Sequence, residues 1–158
     1  MRGRMIGDPH AGDGSLLELG RRMIAGEVAP PPVARTVGFV MTSIGDGRAV
    51  FEMDADPERH ANPMGTVHGG ILCDIADGAM GMAFASTLAD GESFTTLELK
   101  INYLRPVWRA RLRAEGKVVK RGRDIALVAC DVLDETGTLV AHATSTCMVL
   151  RGERAAGR

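Results

Sequence analysis

The segment HANPMGTVHGG (residues 60–70) runs directly into ILCDIADGAMGMAFA (residues 71–85). The first part holds too much Gly, Pro, His and Asn for a core element. The second is apolar at most positions and too long for a strand, which predicts a buried helix from about Gly69 to about Leu88. Two carboxylates, Asp74 and Asp77, interrupt it. Desolvating a carboxylate costs free energy unless something pairs with it. A polar, glycine-rich loop opening such a helix therefore marks the segment as the expected active site, with the flanking strands holding and completing it.

Upstream, Ala34 to Ile44 and Arg48 to Ala55 read as strands around a Gly45-Asp46-Gly47 turn, and 57–67 as a loop. Downstream, four strands are expected: Phe94 to Leu104, Trp108 to Lys120, Asp124 to Leu133 and Leu139 to Leu150. Short connections predict that these four are antiparallel neighbours. One helix of about 20 residues, near 30 Å long, has to be covered by that sheet. The expected fold class is α+β, a long central helix wrapped by a curled antiparallel β-sheet. Gly78 and Gly81 are expected to let the sheet come close.

Further out, SLLELGRRMIAG (15–26) predicts a short amphipathic helix outside the core fold. Ser15 and Glu18 have the capping-box spacing and Gly26 is a stop signal. Such a helix covers an apolar surface or shapes the mouth of a pocket. Residues 1–14 lack periodicity and are expected to fray. The domain organisation expected is a flexible N-terminus with this helix (1–32), one folded domain (33–150) and a flexible tail (151–158).

A chain of 158 residues with 45% apolar and 25% charged side chains fits one globular domain. Its net charge of −1 argues against a nucleic-acid partner. Cys73, Cys130 and Cys147 have no metal-type spacing and sit in apolar runs, as reduced buried thiols do. That favours a reducing compartment. No apolar run approaches the ~20 residues of a membrane span, so no membrane association is expected and the expected location is cytoplasmic.

Gly69 and Gly70 open the helix, where the first N–H groups lack intrahelical partners and carry the positive end of the helix dipole. That geometry suits an oxyanion hole, or simply a tightly packed helix start. Asp77, mid-helix among apolar residues, is either catalytic or reaches solvent at the sheet edge. Asp74 is one turn earlier. Asn62 offers a donor and an acceptor. His68 is either a general base or, as a residue just before a helix, an orienter of the loop. Thr96 offers a hydroxyl on the next strand. Lys120, Arg121 and Arg123 surround a turn glycine, an arrangement that holds phosphates or stays solvated. His60 with His68 makes a poor metal pair, so no metal is expected. Gly69 and Asp77 are eight residues apart, about 12 Å along a helix. One reacting carbonyl cannot touch both. If both act in one reaction, the second comes from another copy, which predicts a homodimer with two shared sites.

HANPMGTVHGG, Asp77 nine residues after His68, and TLELKINYLRP (96–106) together closely resemble the hot-dog-fold acyl-CoA thioesterases, in the PaaI and 4-hydroxybenzoyl-CoA thioesterase branch. The resemblance spans roughly residues 33–150. It implies a helix wrapped by an antiparallel sheet, paired into a homodimer or a dimer of dimers, that hydrolyses an acyl-CoA thioester without metal or other cofactor. By the resemblance, the Gly69 amide polarises the carbonyl and Asn62 and His68 support it. Asp77 of the partner subunit activates water or attacks, Thr96 holds the water, and Lys120, Arg121 and Arg123 are contacts for the CoA phosphates. A hot-dog hydratase or dehydratase and a non-catalytic acyl-CoA-binding protein are the alternatives. Asn62, His68, Gly69 and Asp77 all being intact favours the thioesterase.

Overall fold

A computed structural model describes residues 15–156 of the chain. Its elements in order are α1 (Leu16–Ile24), α2 (Pro32–Val37), β1 (Phe39–Gly45), β2 (Arg48–Ala55), α3 (Pro57–His60), α4 (Gly69–Ala85), β3 (Ser93–Tyr103), β4 (Ala110–Arg121), β5 (Ile125–Leu133) and β6 (Leu139–Leu150), followed by a 3-10 turn at Gly152–Arg154. All sheet pairings are antiparallel, and the strands lie in the order β1-β2-β4-β5-β6-β3. The sheet is open, curls around α4, and packs one face on it. This is the hot-dog architecture expected from the sequence. The fraying expected for 1–14 lies outside the described residues.

Alternation along the strands sets the core. In β2, Ala49, Phe51, Met53 and Ala55 are buried, and in β4, Leu112, Ala114 and Gly116. They meet Ile75, Ala76, Ala79, Met80, Ala83 and Phe84 of α4, all fully buried. Phe51 stacks edge-on against Phe39, and Phe84 against Phe94. The closest approach of sheet to helix is on the strand side. A Cβ at Gly116 would lie 2.2 Å from the Ala79 carbonyl oxygen. On the helix side, a Cβ at Gly81 would lie 3.2 Å from the Phe94 ring, whereas at Gly78 the nearest atom is at an ordinary 3.6 Å. Of the two helix glycines, only Gly81 is tightly met.

α4 has 17 residues, shorter than the helix expected through Leu88. The Ser86 and Thr87 hydroxyls donate to the Ala83 and Phe84 carbonyls, closing the last turn before Leu88. The expected strand from Ala34 also begins later, at Phe39. Pro32 pre-sets the first turn of α2, and Gly38, at φ 96°, ends it in the left-handed conformation. A further helical turn, α3, sits inside the expected loop, with Asp56 accepting from the Glu58 N–H. The β1–β2 turn has positive φ at Asp46 and Gly47, as a two-residue hairpin requires.

The last four strands form one antiparallel block, β4-β5-β6-β3, but β3 does not pair with β4, which corrects the expectation that every short connection joins neighbours. β3 pairs with β6 at the edge, and β4 pairs with β2. The Leu104 and Arg105 N–H groups donate to the Val140 carbonyl, Pro106 has no N–H, and the Val107 carbonyl accepts from Val67. The chain thus crosses beside the start of α4. At about 4.8 Å per strand, three strand spacings are roughly 14 Å, within the reach of six extended residues at about 3.3 Å each.

α1 closes the molecule on the β1 side. Ser15 accepts from the Glu18 N–H at 3.3 Å, as the capping-box spacing predicts. The buried Gly20 lies against Ile44, Met41 and Met82 side chains, so α1 covers apolar surface on β1 and α4. Beyond β6, Arg151 is held by Glu92 and Asp124.

Candidate active site

The loop before α4 is tied by its own side chains. Asn62 donates from Nδ2 to Thr66 Oγ1 at 2.9 Å and accepts the Met64 N–H on Oδ1 at 2.9 Å. Its backbone N–H bonds the Thr66 carbonyl, and its carbonyl takes the Gly65 N–H. Asn62 therefore builds the turn that delivers the chain to α4, and its second Nδ2 hydrogen remains as a donor. His60 is buried: Nδ1 accepts the Asp56 N–H and Nε2 donates to the Val37 carbonyl. Both ring nitrogens are committed to the backbone, so His60 is a structural residue.

His68 is the N-cap of α4, its Nδ1 accepting the Gly70 N–H at 2.9 Å. With Nδ1 accepting, the neutral tautomer of the ring carries its proton on Nε2. This bond supports the orienting reading of His68, since a general base would need a free ring nitrogen to accept a proton. With Gly70 capped and the Ile71 N–H on the His68 carbonyl, the Gly69 N–H is left at the first helical position, where α4 itself offers no acceptor.

Beside Gly69 opens a cavity of about 380 Å³, lined by Asn62, Thr66, Gly69, Leu72, Tyr103 and Arg105 among others. Sequence reasoning missed Tyr103 and Arg105. Tyr103 is the only tyrosine in the chain and falls on the inward-facing alternation of β3, a signal that was readable.

Asp77 and Thr96 are brought together. Thr96 Oγ1 donates to Asp77 Oδ1 at 3.3 Å. A bulge between Thr96 and Glu98 makes this possible. Thr96 turns toward α4, whereas Glu98 turns outward to bond Thr146, and its carbonyl accepts from the buried Ser145 hydroxyl. The Asp77 side chain stays open to solvent along one edge, yet the protein packed around it desolvates the carboxyl and raises its pKa above the ordinary aspartate value. The Thr96 hydrogen bond opposes this rise, and the neighbouring Asp74 charge adds to it. Burial also raises Asp74. Cys73 lies on the same helix, and burial followed by the two aspartates pushes its thiol up.

Gly69 and Asp77 do not converge within the protomer, as they stand about two helical turns apart on α4. In the basic turn, Arg121 lies 5.1 Å over the Phe84 ring and pairs with Glu92 at 3.6 Å. It also donates to the Gly122 and Arg123 carbonyls. Lys120 and Arg123 are exposed. No group of three or more His, Cys, Asp or Glu side chains fit to hold a metal occurs among the described residues, and no described helix is long and apolar enough to cross a membrane.

The thioesterase superfamily profile matches residues 64–141, from the loop before α4 to the start of β6. A proposed esterase of Saccharolobus solfataricus is 36% identical over 105 residues, 66% of this chain and 74% of that protein. Human acyl-coenzyme A thioesterase 13 is 29% identical over 118 residues, 71% of this chain and 81% of that protein. Among solved structures, a phenylacetic acid degradation-related protein from Ralstonia eutropha JMP134 is 36% identical. It superposes with a TM-score of 0.74 over 82% of this chain and 98% of its own. The chain belongs to the thioesterase superfamily: it is a hot-dog-fold thioester hydrolase.

Proposed function

We propose that the protein hydrolyses aryl-, arylacetyl- or medium-chain acyl-CoA thioesters to the free acid and CoA, at sites shared by two protomers. The observation that carries this reading is the pair of separated half-sites on α4. An N–H with no acceptor among the described residues stands at Gly69, and a carboxylate held by Thr96 stands at Asp77, about 12 Å along the axis. The thioester carbonyl accepts from the Gly69 N–H of one protomer, with Asn62 and His68 shaping that end. A water held at Asp77 and Thr96 of the other attacks the carbonyl carbon, and Asp77 takes its proton. The C–S bond then breaks, and the thiol of CoA leaves with a proton. These groups supply electrophile, base and water orientation without a metal or a further cofactor. Lys120, Arg121 and Arg123 receive the CoA phosphates, with the exposed Lys120 and Arg123 carrying most of that role. The reaction occurs in the cytoplasm.

Thiol release from benzoyl-, phenylacetyl- and octanoyl-CoA tests the proposal. Asp77→Ala is expected to lower kcat by about 100-fold or more, the scale of a removed general base. Wild-type protein that releases no thiol from any CoA ester would end the proposal. Unchanged turnover in Asp77→Ala would end the assigned mechanism alone.

A further inference from the structure

We infer that Tyr103 is the positioning residue that aims the Gly69 amide, by clamping the peptide that follows it; the catalytic part of this rests on the role proposed above for Gly69. Tyr103 closes β3 on its inward face, opposite Ala141. Its hydroxyl donates to the Gly69 carbonyl at 3.0 Å, on the lone pair that the helix ladder leaves over. The other pole of the same peptide, the Gly70 N–H, donates to His68 Nδ1 at 2.9 Å. Side chains from two distant parts of the chain thus grip one peptide unit at both ends.

A Gly-Gly step needs such a grip. It has the widest backbone freedom of any pair, whereas an oxyanion donor has to be held within roughly 0.5 Å of its working position. Rocking of the Gly69–Gly70 peptide plane redirects the adjoining Gly69 N–H. The ring also explains why residue 69 is glycine. A Cβ there would lie 2.7 Å from Tyr103 Cζ and 2.8 Å from its hydroxyl oxygen, and at residue 70 it would lie 2.9 Å from His68 Nδ1. The two missing side chains make room for the two clamping groups. Tyr103 is 53% exposed, so the core does not depend on it.

Tyr103→Phe keeps the ring and removes only the grip. Amide hydrogen exchange at Gly70, followed by NMR on the full-length protein, is expected to speed up about tenfold, the equivalent of one ordinary hydrogen bond. With whichever of benzoyl-, phenylacetyl- or octanoyl-CoA the wild type hydrolyses fastest, kcat is expected to fall about tenfold with KM within twofold. A residue that merely packs would leave both readouts unmoved. Unchanged Gly70 exchange overturns the clamp, and so does faster exchange with unchanged kcat in an active wild type. If the wild type cleaves no CoA ester, the catalytic reading fails, and the exchange measurement still decides whether Tyr103 holds the peptide.

Discussion

At the scale of the residue, the proposed reaction rests on one carboxylate and one N–H, and their surroundings set their strength. Burial, with a smaller push from Asp74, lifts Asp77 above the ordinary aspartate pKa of 3.8, and the Thr96 hydrogen bond partly restores it. A base works only when deprotonated, so kcat/KM falls as pH drops through this raised value. The acid limb of the pH profile is expected above 3.8. Asp74→Asn removes a like charge, which lowers the Asp77 pKa and moves the limb to lower pH. A pH–rate profile that is unmoved in Asp74→Asn would separate the two aspartates electrostatically. Most of this was legible from sequence: Asp77 stands out as an acid inside an apolar helix. The direct Thr96 contact was not, because it needs the bulge between Thr96 and Glu98 that only the pairing with β6 reveals.

At the scale of the element, α4 is defined more by how closely the sheet lies on it than by its own propensity. It carries two glycines, Gly78 and Gly81, after the pair that opens it, and still forms a helix because it is buried against the wrapping strands. Gly116 of β4 is where that contact is tightest. Gly116→Ala forces a methyl into the Ala79 carbonyl, which is backbone and cannot rotate away. The variant is expected to lose about 1–3 kcal/mol or more of stability by denaturant unfolding. An unchanged midpoint would mean that strand and helix have slack there. Sequence reading looked for close approach on the helix, at Gly78 and Gly81, and overlooked Gly116. A single strand glycine does not reveal which helical atom it will face.

At the scale of the whole molecule, the proposed reaction needs two copies. Among the described residues β3 is an edge strand whose outer edge is unpaired, and Asp74 and Asp77 on α4 are exposed. A two-fold dimer has self-complementary contacts, so in the proposed assembly each site takes Gly69 from one subunit and Asp77 from the other. A complementation experiment reads this directly. Asp77→Ala and Gly69→Val proteins, each expected to be inactive alone, are unfolded, mixed in equal amounts and refolded together. Random pairing makes half the dimers mixed, each with one intact site, which returns about a quarter of wild-type activity. No recovery, or a monomer by light scattering, would show that the two groups do not share a site.

The sequence by itself determined the long buried helix, its glycine-rich loop and the six strands, and it singled out the candidate site residues. The elements rest on local rules, apolar periodicity and turn residues; the Gly69–Asp77 separation rests on the helical rise, and the site roles of Asn62 and His68 rest on the family resemblance. Only the tertiary structure decided the strand order. Six extended residues reach a strand three places away as readily as a neighbour, so a short connection did not fix the pairing of β3. From that order follow β3 at the edge, Thr96 against Asp77, and Tyr103 against Gly69. All three depend on which strands meet, and that is set by how the whole sheet covers α4.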